Sequence, residues 1–203
     1  CSAGFRGQEM QVFSGYHPVI DYKAPKRMPD LLTVDLWLAR EPASLSQDLA
    51  ESYARLLNGE EHARLQRFMR ADDRQRFLSA RALTRSVLAR YLDSSPAELE
   101  FIQGHYGKPM LACNDLPPLH FNLSHTKGMA VLGVCRTAEL GVDVEAVSRK
   151  VELLELARQY FSAAEVHSIE ALSGQAQREL FFALWTLKEA WVKAKGLGLR
   201  LPL

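Results

Sequence analysis

"RFLSARALTRSVLARYL" (76–92) and "LFFALWTLKEAWVKAKG" (180–196) decide how this chain is built, because one can be laid on the other with Leu83 opposite Leu187. Both have helical spacing; in the first, Phe77, Leu78, Leu83, Val87, Leu88 and Leu92 make the apolar stripe. "TVDLW" (33–37) likewise faces "GVDVE" (141–145). Two matches in the same order indicate a strand, short helices and a long helix used twice, with a site shared where the copies meet. The expected fold is therefore α+β, with two similar halves related by a pseudo-twofold and an active site in the cleft between them. The expected divisions are an irregular N-terminal arm (1–30), an N-terminal α+β half (31–137) and a C-terminal α+β half (138–203). The closing "GLGLRLPL" reads as a helix exit into a strand barely begun, so the C-terminal half is expected to be truncated.

Around these anchors, alternation predicts strands over 31–39, 99–103, 119–126, 129–136 and 140–147. Helical spacing predicts helices over 46–58, 60–70, 72–93, 151–160, 163–173 and 177–196. Asp72 and Asp73 suit the N-terminal end of the first long helix, and Gly196 closes the second. "GHYGKPML" is left as a loop.

With 203 residues the chain can bury a real core, and a net charge of +1 selects no partner in bulk. Charge is uneven, however: Arg64, Arg67, Arg70, Arg74, Arg76, Arg81, Arg85 and Arg90 crowd one stretch that suits phosphates or an acidic partner. Cys1, Cys113 and Cys135 are far apart, with no CxxC, which fits a reducing compartment. No apolar run has the length of a transmembrane helix, and no basic segment leads into an apolar one at the start. The chain is expected to be cytoplasmic, away from membranes.

Four groups of residues bear on chemistry. Asp143 and Glu145, at i and i+2 of a valine-rich strand, share a face at about 6.5 Å. At that spacing they repel by about 2–3 kcal/mol if the effective dielectric is near 20. A half-exposed strand with both acids in water satisfies the pair, and so does a divalent cation with oxygen ligands, for which Mg²⁺ is suited. Glu189 and Lys193, at i and i+4 on a helix, fit an ordinary surface pair or a third carboxylate with a phosphate-directed lysine. Ser124 and His125 are adjacent, the wrong arrangement for a nucleophilic dyad, but able to donate to a phosphate; a satisfied core histidine also fits. Lys108, in "GHYGKP", offers a point charge for phosphate or is a plain loop lysine. Taken together, the acids suit a hard metal and the Lys, His and Arg residues a pyrophosphate, which is equipment for phosphoryl-type transfer. Leu187 and Trp191 are expected in the core.

The motifs "YGKP" (106–109), "FNLSHT" (121–126), "GVDVE" (141–145), "FS..E" (161–165) and "LWTLKEAWVKAKGLGL" (184–199), in this order, resemble those of the Sfp-type phosphopantetheinyl transferases. The likeness spans residues 58–203 and leaves the first 30 uncovered. The resemblance implies a monomer that transfers the 4'-phosphopantetheine arm of coenzyme A to a serine of an apo acyl or peptidyl carrier protein. The other product is 3',5'-ADP. It implies Asp143, Glu145 and Glu189 as ligands of Mg²⁺, with Mn²⁺ as an alternative. It implies Glu189, or a metal-bound water near it, as base and Lys193 as the group that neutralises the transferring phosphate. Asp143, Glu189 and Lys193 are thus the implied catalytic residues, and they also face the bound cofactor. Lys108, Ser124, His125 and Arg64 are implied coenzyme A contacts, with Arg81 and Arg85 weaker candidates. Glu61 departs from the pattern, standing where some relatives have a second basic contact.

Two other readings compete. A nucleic-acid module on the arginine-rich helix would need stacking aromatics, yet Phe68 and Phe77, the only candidates, fit apolar stripes; no nucleic-acid partner is expected. A coenzyme A binder without transfer would have no use for three convergent acids.

Overall fold

The computed structural model describes residues 34–40, 44–104, 107–112, 118–136 and 138–196. The expected N-terminal arm (1–30) and the strand expected after Gly196 lie outside the described residues. Strand β1 (Val34–Arg40) is followed by helices α1 (Gln47–Ala54), α2 (Gly59–Gln66) and α3 (Ala71–Leu92). Strands β2 (Phe101–Gln103), β3 (Pro109–Leu111), β4 (His120–Thr126) and β5 (Met129–Cys135) come next, then α4 (Leu153–Tyr160), α5 (Ala163–Glu170) and α6 (Gly174–Lys195). The architecture is mixed α+β, as expected.

Local chemistry sets the helix ends. Ser46 accepts the Leu49 N–H at the start of α1. Asn58 with Glu61, and Ser162 with Glu165, form capping boxes on α2 and α5. Asp93 ends α3 in the left-handed region, at φ 52°, and Gly196 ends α6 at φ 66°.

β4 and β5 form a hairpin across Lys127 and Gly128, and β1 adds to the far side of β5, giving an antiparallel sheet of order β1-β5-β4. Period-two alternation gives this sheet two faces. Trp37, Phe121, Leu123, Ala130, Leu132 and Val134 point to one, where Leu83, Val87, Leu88 and Tyr91 of α3 cover them. This is the main core, and Val87 and Leu88 in it are fully buried. The hairpin β2-β3 packs beside it, Phe101 meeting Phe121 edge-on at 5.7 Å. β3 falls in the stretch expected to be a loop.

The second face carries Asn122, Ser124, Val131, Gly133 and Cys135. Across it runs 139–145, where a strand over 140–147 was expected. No strand forms there. The alternation is present, but the Val142 N–H goes to Asn122 Oδ1 at 2.8 Å and the Val144 N–H to Ser124 Oγ at 3.3 Å. Side chains of β4 take the place of a neighbouring backbone.

α6 lies over this segment. A Cβ on Gly141 would stand 1.9 Å from the Ala190 carbonyl oxygen and 2.4 Å from the Ala194 nitrogen. Only glycine lets the two backbones come that close. The order of layers is therefore α3, sheet, segment 139–145, α6. A separate core joins α4, α5 and α6 through Leu153, Ala157, Phe161, Ile169, Phe181 and Phe182. Leu187 and Trp191, expected in the core, are 68% and 51% exposed. The face of α6 that bears them has no covering element among the described residues.

Candidate functional site

The layers bring Asp143, Ser124 and Lys193 to one point. Segment 139–145 carries the acid, β4 the hydroxyl and α6 the ammonium. Lys193 Nζ donates to Asp143 Oδ1 at 2.6 Å and to Ser124 Oγ at 2.9 Å, while Ser124 Oγ donates to the same Asp143 oxygen at 2.9 Å. With the Val144 N–H, Ser124 has used its one donor and both acceptor sites, so its hydroxyl is fixed in orientation.

Asp143 is nearly buried, and its other oxygen, Oδ2, has no hydrogen-bond partner. A buried carboxylate oxygen without a donor costs free energy, and a cation is the partner that would relieve it. Glu189 lies one helical turn before Lys193. Burial raises its carboxyl above the usual range, the charges of Asp143 and Glu145 push the same way, and Lys193 opposes them. Two acids thus act electrostatically on the third. Glu145 is bonded to Arg149 at 2.7 Å. Arg178 of α6 donates to the Val147 and Arg149 carbonyls, pinning the turn that follows. Among the described residues, no cluster of three or more His, Cys, Asp or Glu side chains is drawn tight enough to hold a metal ion.

The expected coenzyme A contacts are spread wider. His125 is exposed at the end of β4; partial desolvation lowers its pKa, and the cations Arg76 and Lys193 lower it further. A hydrogen bond from its ring to its own backbone opposes that shift, and the balance favours the neutral form. Lys108 Nζ donates to the Leu140 carbonyl at 3.2 Å and to the Ala194 carbonyl at 3.3 Å, with Glu139 at 3.8 Å. It sits at the negative end of the α6 dipole and ties the β2-β3 hairpin to the last turn of that helix. Arg64, in the last turn of α2, lies over the Phe77 ring at 5.4 Å and lines an open groove with Glu60, Ala63, Arg67 and Phe68.

The weaker arginine candidates have other work. Arg85 has no exposed surface; it donates to Glu61 at 2.6 Å and to the Pro96 and Leu99 carbonyls at 2.6 and 2.9 Å. Arg81 stands 3.6 Å from Glu61. Glu61, the departure noted above, is the internal counter-ion of both. Sequence reasoning passed over Asn122. The signal was there: with Phe121 and Leu123 on the core face, Asn122 and Ser124 become two buried polar side chains that must find partners.

Residues 139–203 match the family described as the 4'-phosphopantetheinyl transferase superfamily, and residues 44–137 match the 4'-phosphopantetheinyl transferase N-terminal region. The chain is 33% identical over 170 residues to the 4'-phosphopantetheinyl transferase HetI of Nostoc sp., covering 83% of this chain and 72% of that one. It is 34% identical over 159 residues to the 4'-phosphopantetheinyl transferase Sfp of Bacillus subtilis, covering 78% and 69%. The Synechocystis sp. protein slr0495 is 40% identical over 151 residues, covering 74% of this chain; the chain spans 61% of that protein's length. No helix among the described residues is long and apolar enough to cross a membrane. With both halves matched and these identities spread across them, the chain belongs to the 4'-phosphopantetheinyl transferase family.

Proposed function

We propose that this chain transfers the 4'-phosphopantetheine arm of coenzyme A to a serine hydroxyl of an apo acyl or peptidyl carrier protein and releases 3',5'-ADP. The observation that carries the reading is Asp143, with one oxygen held by Ser124 and Lys193 and the other buried and unpartnered. Beside it, Glu189 is pushed upward by burial and by the neighbouring acids. Such an excess of negative charge suits a divalent cation. Asp143, Glu145 and Glu189 are the residues that would hold Mg²⁺, or Mn²⁺ in its place. When bound, the ion supplies charge neutralisation and Lewis-acid polarisation of a pyrophosphate. Arg149 engages Glu145 from an exposed position, and that bond yields to a competing divalent charge.

In the transfer, the serine oxygen forms a bond to the phosphorus of the phosphopantetheine group, and the P–O bond to 3',5'-ADP breaks. Glu189 takes the serine proton as general base. Lys193 balances charge on the departing phosphate. Arg64 in its groove, His125 at the exposed end of β4 and Lys108 are the proposed coenzyme A contacts, with Ser124 joining them when one of its bonds to Asp143, Lys193 or the Val144 N–H gives way. We set the boundary between the halves at 137/138, with coenzyme A held in a cleft between them. The matching helix order (short, short, long) on either side supports a pseudo-twofold. A cytoplasmic monomer completes the reading.

The test is direct. Chain, coenzyme A and Mg²⁺ are incubated with apo carriers from fatty-acid, polyketide and peptide-synthetase systems, and mass spectrometry reads a phosphopantetheine adduct on serine. Chelation with EDTA and the variant Asp143→Ala should each abolish it, the variant keeping its circular dichroism spectrum. Absence of the adduct on every carrier, or full activity in Asp143→Ala, overturns the proposal.

A further inference from the structure

Asn122 bonds neither Asp143 nor Lys193 among the described residues, yet it is buried at the edge of the site. Asn122 and Val142 are 8% and 9% exposed, and the bond between Asn122 Oδ1 and the Val142 N–H is 2.8 Å long. Packing around it is tight on both sides. Gly133 pairs with Asn122 across the hairpin, and a Cβ there would stand 2.7 Å from both Leu140 Cδ1 and Val142 Cγ1. Gly141 lies against the α6 backbone on the other side. These contacts fix how deep 140–142 sits between sheet and helix. Gly141 also limits movement along the segment, since a slip would bring a Cβ against the α6 backbone, and the directional hold between segment and sheet comes from hydrogen bonds. The companion bond, from Val144 to Ser124, is longer at 3.3 Å, and Ser124 shares it with Lys193 and Asp143. A slip of one residue in an extended segment reverses every side chain. Asp143 would then turn from Lys193 toward the opposite side.

The geometry points to Asn122 as a positioning residue: by holding the Val142 N–H it fixes, together with Gly141, the register of 141–145, and so the place of Asp143 and Glu145 in the carboxylate cluster. This rests on the reading of that cluster as a cation site.

The experiment compares the wild-type chain with Asn122→Leu, which removes the acceptor at similar volume, and Asn122→Asp, which keeps it. Amide hydrogen exchange is followed in peptides covering 139–145 and 129–135, and Mn²⁺ alone is titrated, with the free-ion paramagnetic resonance signal as readout. In Asn122→Leu the first peptide should exchange about tenfold faster, the effect of one lost buried hydrogen bond, while the second is unchanged. The Mn²⁺ midpoint should rise several-fold, and Asn122→Asp should restore wild-type exchange. Unchanged exchange at 139–145, equal acceleration of both peptides, or an unmoved Mn²⁺ midpoint overturns the role. If Asn122→Leu does not fold, Asn122→Ser, too short to reach, takes its place. A wild-type chain that binds no Mn²⁺ strikes the cation reading instead, and the exchange comparison still decides the register.

Discussion

Arg85 in α3 and Glu189 in α6 fall opposite one another when the sequences of the two helical groups are laid together. The shift that sets Leu83 on Leu187 also sets Arg85 on Glu189, Asn58 on Ser162 and Glu61 on Glu165. In the first group Glu61 caps α2 and receives Arg85, which is wholly buried and also donates to two carbonyls. In the second, Glu165 caps α5 and receives Lys188 at 3.0 Å. Lys188 precedes Glu189, so the cation that serves the cap has moved by one residue. That move frees the next position to face Asp143 and Glu145. One group uses the position for cohesion and the other for a charged site. The scaffolding that makes both possible is the same capped short helix leaning on a long one.

The largest effect should come from breaking the buried side of this pairing. Arg85→Met leaves Glu61 charged and buried with Arg81 only at 3.6 Å, and should lower stability by about 3–5 kcal/mol in urea denaturation. The double variant Glu61→Gln, Arg85→Met should recover more than about 1 kcal/mol of this, since Gln keeps the cap without the charge. Lys188→Met, at the more open junction, should cost about 1 kcal/mol or less. Equal losses from Arg85→Met and Lys188→Met would dissolve the contrast.

Glu189→Gln should move the other way. Above its raised folded pKa, Glu189 is charged in both states but disfavoured when folded; the penalty fades as pH falls through that value. The variant should therefore melt about 1–3 °C higher at neutral pH while losing transfer. A lower melting point would remove the strain assigned to this carboxyl. The smallest effect concerns Glu165. Burial raises its carboxyl, but its bonds to Ser162 and Lys188 outweigh that and hold it below the usual range. Its contribution is complete above the unfolded value and lost as pH falls through the folded one. Amide exchange at the start of α5 should then speed up at acid pH, and exchange that does not change there would remove the role given to Glu165.

Much of this fold was legible in the sequence because periodicity is local. The spacing predicts helices over 72–93 and 177–196, and they run Ala71–Leu92 and Gly174–Lys195. The same spacing marked Leu187 and Trp191 as an apolar face, but spacing does not say what covers a face. Alternation in 140–147 was real, yet a ladder made from Asn122 and Ser124 leaves the same trace as one made from backbone. The arginine run looked phosphate-directed because its partners are distant or are carbonyls: Arg85 finds Glu61, and Arg74 donates to the Phe68 carbonyl. Of the expected site residues, Asp143, Ser124 and Lys193 meet directly, and Glu189 feels Asp143, Lys193 and Glu145 through charge. Lys108 is engaged at the end of α6, and Arg64 lies in a groove of its own.

Gly141 has a consequence at the level of the gene. The atoms that a Cβ would strike there belong to the main chain of α6, so no rotamer change or neighbouring side-chain substitution makes room. Every glycine codon begins with the same two bases, and its third is free. Codon 141 can therefore drift silently in one base, while a change in either of the others forces apart the helix and the segment that carries Asp143.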